Sequence, residues 1–396
     1  MSTLRESISA LLPQAIEIRH DLHTHPELGY QEHRTCGVVQ ARLANLGVEF
    51  KAGLAGGTGV LGWLPATAAA GSARTVALRA DMDALPIVEQ TGLPYQSSKP
   101  GVMHACGHDG HTTILLTAAE ILRNQKDRPN NVLLLFQPAE EGGAGGQKLC
   151  AEGALRGQVI GKPVDVIFGL HGFPRAPVGH VATKDGALMA AASQFVIQVR
   201  GKGTHAAYPH FGIDPILVCA HILTALQSIV SRMIDPLESV VVTVGQIVAG
   251  VAHNVIPEAA TMHGTLRTLS GATDDLAKRR IGEIVSNVAA GFGASASVEW
   301  VGAYPVTFND PAATDEFRAV ARKVVGESHV HEEAHPSMGG EDFSFYGLEV
   351  PASFFFLGLR PLDRDSYPNL HAPDFDFNDD AIATGVELMC ELAVSQ

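Results

Sequence analysis

The residues best equipped for chemistry sit in Met103-His104-Ala105-Cys106-Gly107-His108-Asp109-Gly110-His111, a run with one thiol, three imidazoles and a carboxylate. Thiolate and imidazole are both good ligands for zinc and similar metals. Cys106 and His108 are two apart, so an extended segment would point them the same way. A buried cysteine beside capping histidines is the plain alternative. His111 fits the first turn of a helix, bracing a ligand rather than being one. Upstream, Leu78-Arg79-Ala80-Asp81-Met82-Asp83 ends an apolar run on two acids, with loop capping as the alternative. Downstream, Phe136-Gln137-Pro138-Ala139-Glu140-Glu141-Gly142-Gly143 sets two more acids after another apolar run. Adjacent residues point differently, so one of Glu140 and Glu141 can bind metal while the other handles protons. His171 follows Val166-Ile167-Phe168-Gly169-Leu170, and His371 lies in Asn369-Leu370-His371-Ala372-Pro373. A lone histidine is more often structural than a ligand. These two draw their weight from the rest of the set. Together the segments describe a metal centre with a carboxylate base beside it, equipped for hydrolysis.

Such a centre needs rigid elements to hold it. Leu4, Ile8, Leu11, Leu12, Ile16 and Leu22 keep helical spacing across residues 4–24. A second helix spans 35–46 and stops at Gly47. Strands are expected at 59–64, 75–80, 132–136 and 164–170, with helices at 108–124 and 147–155. Five consecutive apolar residues at 132–136 suit a strand buried on both faces. Strands alternating with helices give an α/β fold, a mixed sheet with helices on both faces. The candidate residues follow strand ends, where ligands bind in open α/β sheets.

Near residue 190 the pattern changes. Strands at 195–200, 239–248, 261–269 and 295–301 are interleaved with helices at 213–233 and 274–290. Pro215 falls in the first turn of one helix, where it is tolerated. The order β-α-β-β-α-β is the ferredoxin-like α+β arrangement. It reads as a second domain, 189–303, inserted into a first made of 1–188 and 304–396. The first domain then resumes with a helix at 311–325, a glycine-rich loop at 335–342, a strand at 353–359 and a helix at 379–395. Asn378-Asp379-Asp380 is a reasonable cap for the last of these.

Length and composition set the outer bounds. A chain of 396 residues defaults to two domains, and 46% hydrophobic content supports sizeable cores. A net charge of −14 disfavours nucleic acid and anionic membrane surfaces as partners. No apolar stretch of membrane-spanning length stands out, and the N-terminus lacks the pattern of a signal peptide. Five widely spaced cysteines (36, 106, 150, 219 and 390) fit a reducing cytoplasm better than a disulfide framework. Residues 66–73 read as a small surface loop.

Beyond these segments, His23-Thr24-His25-Pro26-Glu27-Leu28-Gly29, Gly203-Thr204-His205-Ala206-Ala207-Tyr208-Pro209-His210, Ala252-His253-Asn254-Val255-Ile256-Pro257, Gly264-Thr265-Leu266-Arg267 and Gly339-Gly340-Glu341-Asp342-Phe343 complete an ordered series spanning nearly the whole chain. The series resembles the co-catalytic metallopeptidase family that includes aminoacylase and glutamate carboxypeptidase. It is most similar to the amidohydrolase branch, with hippurate hydrolase and the plant indole-acetyl-amino-acid hydrolases. The resemblance implies a zinc-peptidase-like catalytic domain and an inserted domain that acts as lid and dimerises the protein. It implies two divalent metals, zinc or manganese first and cobalt or nickel also permitted, held by Cys106, His108, Glu141, His171 and His371. Glu140 would be the general base and Asp83 an acid that orients the site. Where the wider family has a metal-binding histidine, this chain has Asp81, which is not assigned as a ligand. His205 would reach the substrate, and Asn254 and Arg267 would lie near its carboxylate. The implied activity is hydrolysis of the amide bond of small N-acyl-amino acids, of hippurate or N-acetyl type. The implied assembly is a homodimer or homotetramer through the inserted domain, in the cytoplasm.

General chemistry agrees with these roles. An imidazole donor can stabilise an oxyanion. A guanidinium grips a carboxylate with two prongs, as lysine would not. Three rivals stand beside this reading: a dipeptidase or carboxypeptidase on the same scaffold, a thiol hydrolase with Cys106 as nucleophile, and a non-catalytic binding protein.

Overall fold

The computed structural model describes residues 3–68 and 73–395, so the expected loop at 66–73 lies partly outside the described residues. The chain divides into two compact units. One comprises Met1–Leu188, Phe308–His335 and Asp342–Gln396; the other comprises Met189–Thr307 and Pro336–Glu341.

The first unit opens with helix α1 (Leu4–Thr24). A reciprocal cap starts it: Glu6 N–H donates to Thr3 Oγ1 at 3.3 Å and Thr3 N–H donates to Glu6 Oε2 at 2.7 Å. Then come α2 (His33–Asn45), β1 (Glu49–Leu54), β2 (Gly59–Leu64), β3 (Thr75–Asp81), α3 (His108–Asn124), β4 (Asn131–Gln137), α4 (Gly145–Ala151), β5 (Val166–Pro177) and β6 (Val181–Thr183). The second unit holds β7 (Ala191–Arg200), α5 (Pro215–Ser228), β8 (Val240–Ala249), β9 (Ala259–Thr268), α6 (Gly271–Gly291) and β10 (Ser295–Tyr304). The first unit resumes with α7 (Pro311–Val325), β11 (Val330–Glu332), β12 (Ala352–Arg360) and α8 (Asp380–Val394).

Eight strands of the first unit form one mixed sheet in the order β1-β2-β4-β3-β5-β12-β6-β11. β4, β3, β5 and β12 run parallel at its centre, while β1–β2, β2–β4 and β12–β6 pair antiparallel. Every residue of β3 and β4 is buried, so both faces of the sheet are covered. Alternate residues Val76, Leu78, Ala80, Val132, Leu134 and Phe136 share one core with Val39, Ile114, Leu115, Ala118 and Leu122 of α2 and α3 and with Ile382, Val386 and Met389 of α8. The α/β fold expected from the alternating pattern is the fold observed.

The short or half-exposed strands β1, β6 and β11 escaped the pattern, because none carries a long apolar run. The helix expected at 147–155 ends at Ala151, where the chain turns. Asp379 does not cap α8 with its side chain; its carboxylate pairs with Arg19 and His20, and Asn378 Oδ1 accepts Asp380 N–H at 3.0 Å.

In the second unit the sheet order is β8-β9-β7-β10 with all neighbours antiparallel. That is the split β-α-β arrangement. Phe195, Ile197 and Val199 pack with Val218, Ile222 and Leu226 of α5 and Ala277, Ile281 and Val285 of α6. One expectation is corrected here. The helical stretch Pro215–Met233 is long and apolar enough to cross a membrane by length and composition. Its inner face is core, while Ile216, Leu217, Val230 and Met233 on its outer face are exposed. All five cysteines are free thiols and buried.

Candidate metal centre

The centre is assembled at the C-terminal ends of the parallel strands of the first unit, where an open α/β sheet leaves backbone and side chains to converge. Asp81 is the last residue of β3, and the turn bearing Glu140 and Glu141 follows β4. His171 departs from the expectation: it lies within β5, opposite Phe356 of β12, rather than after a strand.

Cys106 and His108 do not sit on an extended segment. Gly107 between them is left-handed, with φ of 90°, and His108 is the first residue of α3. This turn demands glycine twice over: an L side chain is strained at that φ, and a Cβ would stand 2.9 Å from the Phe377 ring. The result still groups the donors. Ligand atoms of Cys106, His108 and His171 lie within 4.8 Å of one another. So do those of Cys106, Glu141 and His371, and those of His108, Glu140 and Glu141. Cys106 Sγ is 3.3 Å from His171 Nε2, and His371 Nε2 is 3.1 Å from Glu141 Oε1. His371 is itself in a left-handed conformation with φ of 65°, its N–H donating to Ala105 O at 2.7 Å. Strain of this kind, about 1–3 kcal/mol, persists where the surroundings over-determine it.

The donor set fits divalent metal. Both ring nitrogens of His108 are buried without a hydrogen-bond partner among the described residues, and carboxylates approach them, Asp83 Oδ1 at 3.3 Å and Asp81 Oδ2 at 3.7 Å. His171 Nδ1 donates to Gly172 O at 2.8 Å, which leaves the Nε2 lone pair facing Cys106. Burial pushes the Cys106 thiol well above its ordinary range, and Glu141, Glu140 and Asp81 push it further. Burial works against a charge on His108, yet Asp81, Asp83 and Glu141 outweigh it and lift the imidazole to about 10. Carboxylates crowd these two side chains, and a cation among them would relieve both anomalies.

The supporting residues are held in turn. Asp83 Oδ1 accepts Glu140 N–H at 3.0 Å and Oδ2 accepts Glu141 N–H at 2.9 Å. His111 uses both nitrogens within the protein: Nδ1 bonds Asp81 Oδ1 at 2.7 Å, and Nε2 accepts Gly172 N–H at 2.8 Å. It therefore fixes β3 against β5. Asp81 also meets Arg79 Nη1 at 2.7 Å, and burial, though it opposes ionisation, is overcome by His108, Arg79 and His111, which hold the carboxyl well below its usual range. His104 belongs to none of these groupings; it is buried with neither nitrogen bonded among the described residues, and burial lowers it to about 4.

Sequence reasoning missed several supporting groups. Glu32 Oε1 accepts Ala139 N–H at 2.8 Å, and Tyr30 OH donates to Gly143 O. Asp342 Oδ1 accepts from Arg79 Nη2 at 3.0 Å and from Gln137 Nε2 at 2.7 Å. The signal for Arg79 was in view, since it is the charge in an otherwise apolar strand. Nothing local marked Glu32.

In the second unit, Thr204–His205 pairs antiparallel with Val255–Ile256, which brings His205 beside Asn254. Asn254 O accepts Ala206 N–H at 3.0 Å. His205 is exposed, and its Nδ1 accepts Ala207 N–H at 3.0 Å, so a neutral ring carries its proton on Nε2. Arg267 lies within β9, half-buried, and makes no ion pair among the described residues; burial lowers its pKa.

The sequence profile of peptidase family M20/M25/M40 matches residues 77–395. The chain belongs to that family. It is 40% identical over 388 residues to N-acetyl-L-cysteine deacetylase of Bacillus subtilis (strain 168), covering 98% of this chain and 89% of that one. It is 38% identical to thermostable carboxypeptidase 1 of Saccharolobus solfataricus, covering 99% and 97%. Its fold matches the crystal structure of Bacillus subtilis YXEP, described as a dinuclear metal-binding peptidase of family M20, with a TM-score of 0.82, 33% identity and 98% of each chain covered. The chain is a metal-dependent amidohydrolase of the M20 type.

Proposed function

We propose that the protein hydrolyses the amide bond of N-acyl-amino acids that carry a free carboxylate. The observation that carries this reading is the donor cluster of Cys106, His108, Glu141, His171 and His371 with Glu140 on the adjoining backbone amide. Two divalent metals held by the five donors would lower the pKa of a coordinated water from about 16 to about 7 and polarise the scissile carbonyl. Glu140 takes a proton from the attacking water and delivers it to the leaving amine. Asp83 keeps Glu140 and Glu141 in place through their two N–H groups. The His205 Nε2–H donates to the developing oxyanion, and Asn254 and Arg267 hold the substrate carboxylate. Arg267 suits that task because it is half-buried and makes no ion pair among the described residues.

The thiol-nucleophile alternative fares worse. A reactive cysteine needs a lowered pKa, whereas burial and three carboxylates raise that of Cys106. A carboxypeptidase or dipeptidase activity is the second reading, favoured by the 38% identity to thermostable carboxypeptidase 1. Association into a homodimer or homotetramer through the second unit is also proposed, supported by the exposed apolar residues Ile216, Leu217, Ile247, Val248 and Val251.

The test is hydrolysis of hippurate, an N-acetyl-amino acid and the matching dipeptide by purified protein, before and after metal stripping, with metal counted in parallel. Activity on the N-acyl compounds that falls on stripping and returns with two metals per chain is the expected result. Turnover of the dipeptide alone transfers the assignment to the peptidase reading.

A further inference from the structure

One buried guanidinium of the first unit reaches three separate parts of the chain. Arg79 lies within β3, two residues before Asp81, and Arg79, Asp81, Gln137 and Asp342 are all fully buried. Arg79 Nη1 donates to Asp81 Oδ2 at 2.7 Å, Nε to Gln137 Oε1 at 2.9 Å and Nη2 to Asp342 Oδ1 at 3.0 Å. The fork thus joins the ends of β3 and β4 to a residue 263 positions away.

Each partner is held again. Gln137 Oε1 also accepts Tyr346 OH at 2.9 Å, and its Nε2 donates to Asp342 Oδ1 at 2.7 Å, so donors and acceptor fix the way the amide faces. Asp342 Oδ2 accepts Gly146 N–H at 2.8 Å. Position 146 must be glycine for α4 to approach this closely, because a Cβ there would stand 2.8 Å from Asp342 O and 3.2 Å from Oδ2. The Asp342 carboxylate is therefore gripped on both oxygens.

A buried guanidinium between two carboxylates is a poor way to gain stability, since desolvation offsets much of the attraction. What the network fixes is geometry. The backbone N–H of Asp342 points at Glu140 Oε1, 3.4 Å away. Bonds to a catalytic group are often long before substrate binds and tighten in the complex. An N–H on one carboxylate oxygen restrains rotation about the last bond of the side chain and so aims the other oxygen.

We propose that Arg79 and Asp342 are positioning residues for the proton-transferring carboxylate: the guanidinium holds the Asp342 side chain, and the Asp342 N–H holds Glu140. The proposal rests on Glu140 being the general base. Neither residue touches substrate; both act through Glu140.

The test uses full-length, metal-loaded Arg79→Lys and Asp342→Asn, alone and each combined with Glu140→Ala. Lysine keeps the charge but cannot span Asp81, Gln137 and Asp342 together. Asparagine keeps the size and the Oδ1 acceptor but turns an NH₂ toward Gly146 N–H. The rate is followed on the best substrate among hippurate, an N-acetyl-amino acid and the matching dipeptide, with metal content and Tm in parallel. Each single variant should lose about tenfold to a hundredfold in kcat, the worth of a misplaced group, with KM and metal content near wild type. In the Glu140→Ala background the same substitutions should cost little more, because the group they aim is gone. Wild-type kcat in Asp342→Asn overturns the proposal. So does an undiminished loss in the Glu140→Ala background, or a loss matched by missing metal, since either makes the network a scaffold only. If Arg79→Lys does not fold, Asp342→Asn decides on the same outcomes. Substantial turnover by Glu140→Ala itself removes the base, and the proposal with it, so the two failures appear in different proteins.

Discussion

The carboxylates of Glu32 and Asp83 hold three successive backbone amides between them: Glu32 takes Ala139 N–H, and Asp83 takes those of Glu140 and Glu141. Ala139 is left-handed with φ of 52°, so the turn is strained and the two carboxylates restrain it. Thr58 Oγ1 donates to the other Glu32 oxygen at 2.7 Å and fixes that side chain.

The consequence for Glu32 is testable, since it touches no candidate ligand in this network. Glu32→Ala leaves the Ala139 amide buried without its acceptor, a cost of about 1–3 kcal/mol. Its Tm and kcat should both fall. Glu32→Gln should recover most of both, because its amide oxygen can still accept Ala139 N–H while Thr58 turns to accept from its NH₂. Wild-type kcat in Glu32→Ala would remove the restraint from the account of the site.

Glu140 is predicted to matter for turnover and not for metal. It is buried beside Asp342, whose N–H approaches Glu140 Oε1 at 3.4 Å, and it is absent from the proposed donor set. Glu140→Ala should reduce kcat by roughly a hundredfold or more, the usual worth of a positioned base. Metal content should remain near that of the wild type. Substantial residual turnover would sink the proton-transfer role.

How much of this was legible in the sequence follows from range. The buried strands β3, β4 and β12 announced themselves through apolar runs, and the split β-α-β order through its periodicity. Cys106, His108 and the Glu140-Glu141 pair stood out because local spacing placed several donors together. The pairing of Glu32 with Ala139 spans 107 residues, and that of Arg79 with Asp342 spans 263. No local pattern encodes such contacts. The left-handed turn at Gly107 was also hidden, since an extended reading of Cys106-Gly107-His108 gave the same grouping of donors by a different backbone.

Arg267 is predicted to act in binding. A charge-assisted contact to a carboxylate is worth about 1.5–3 kcal/mol, or roughly tenfold to a hundredfold in affinity. Arg267→Ala should raise KM for N-acyl-amino acids by that factor with a smaller change in kcat. Arg267→Lys should recover only part, because it lacks the planar fork. The matching amide substrate without a carboxylate should be turned over equally by both proteins. An unchanged KM for the acid would take Arg267 out of the site.

His23 sets a pH dependence on stability. Its Nδ1 lies 2.9 Å from Asp109 Oδ2 and its Nε2 lies 3.3 Å from Glu89 Oε1. Burial opposes the charge, but the bonds to Asp109 and Glu89 prevail and raise the imidazole from 6.5 to about 9. A pKa raised by folding contributes stability that is whole below the unfolded value and is lost as pH climbs through the folded one. The window therefore runs from 6.5 to about 9, and the gap corresponds to about 3 kcal/mol. Urea unfolding of wild type and His23→Gln should be compared in metal-free protein, so that ligand protonation cancels between them. The wild type's advantage should be largest near pH ~6 and should shrink by up to that amount near pH ~10. A difference between the two proteins that does not vary with pH would mean that His23 is neutral in the fold and that Asp109 is held by Arg19, 3.2 Å away, alone.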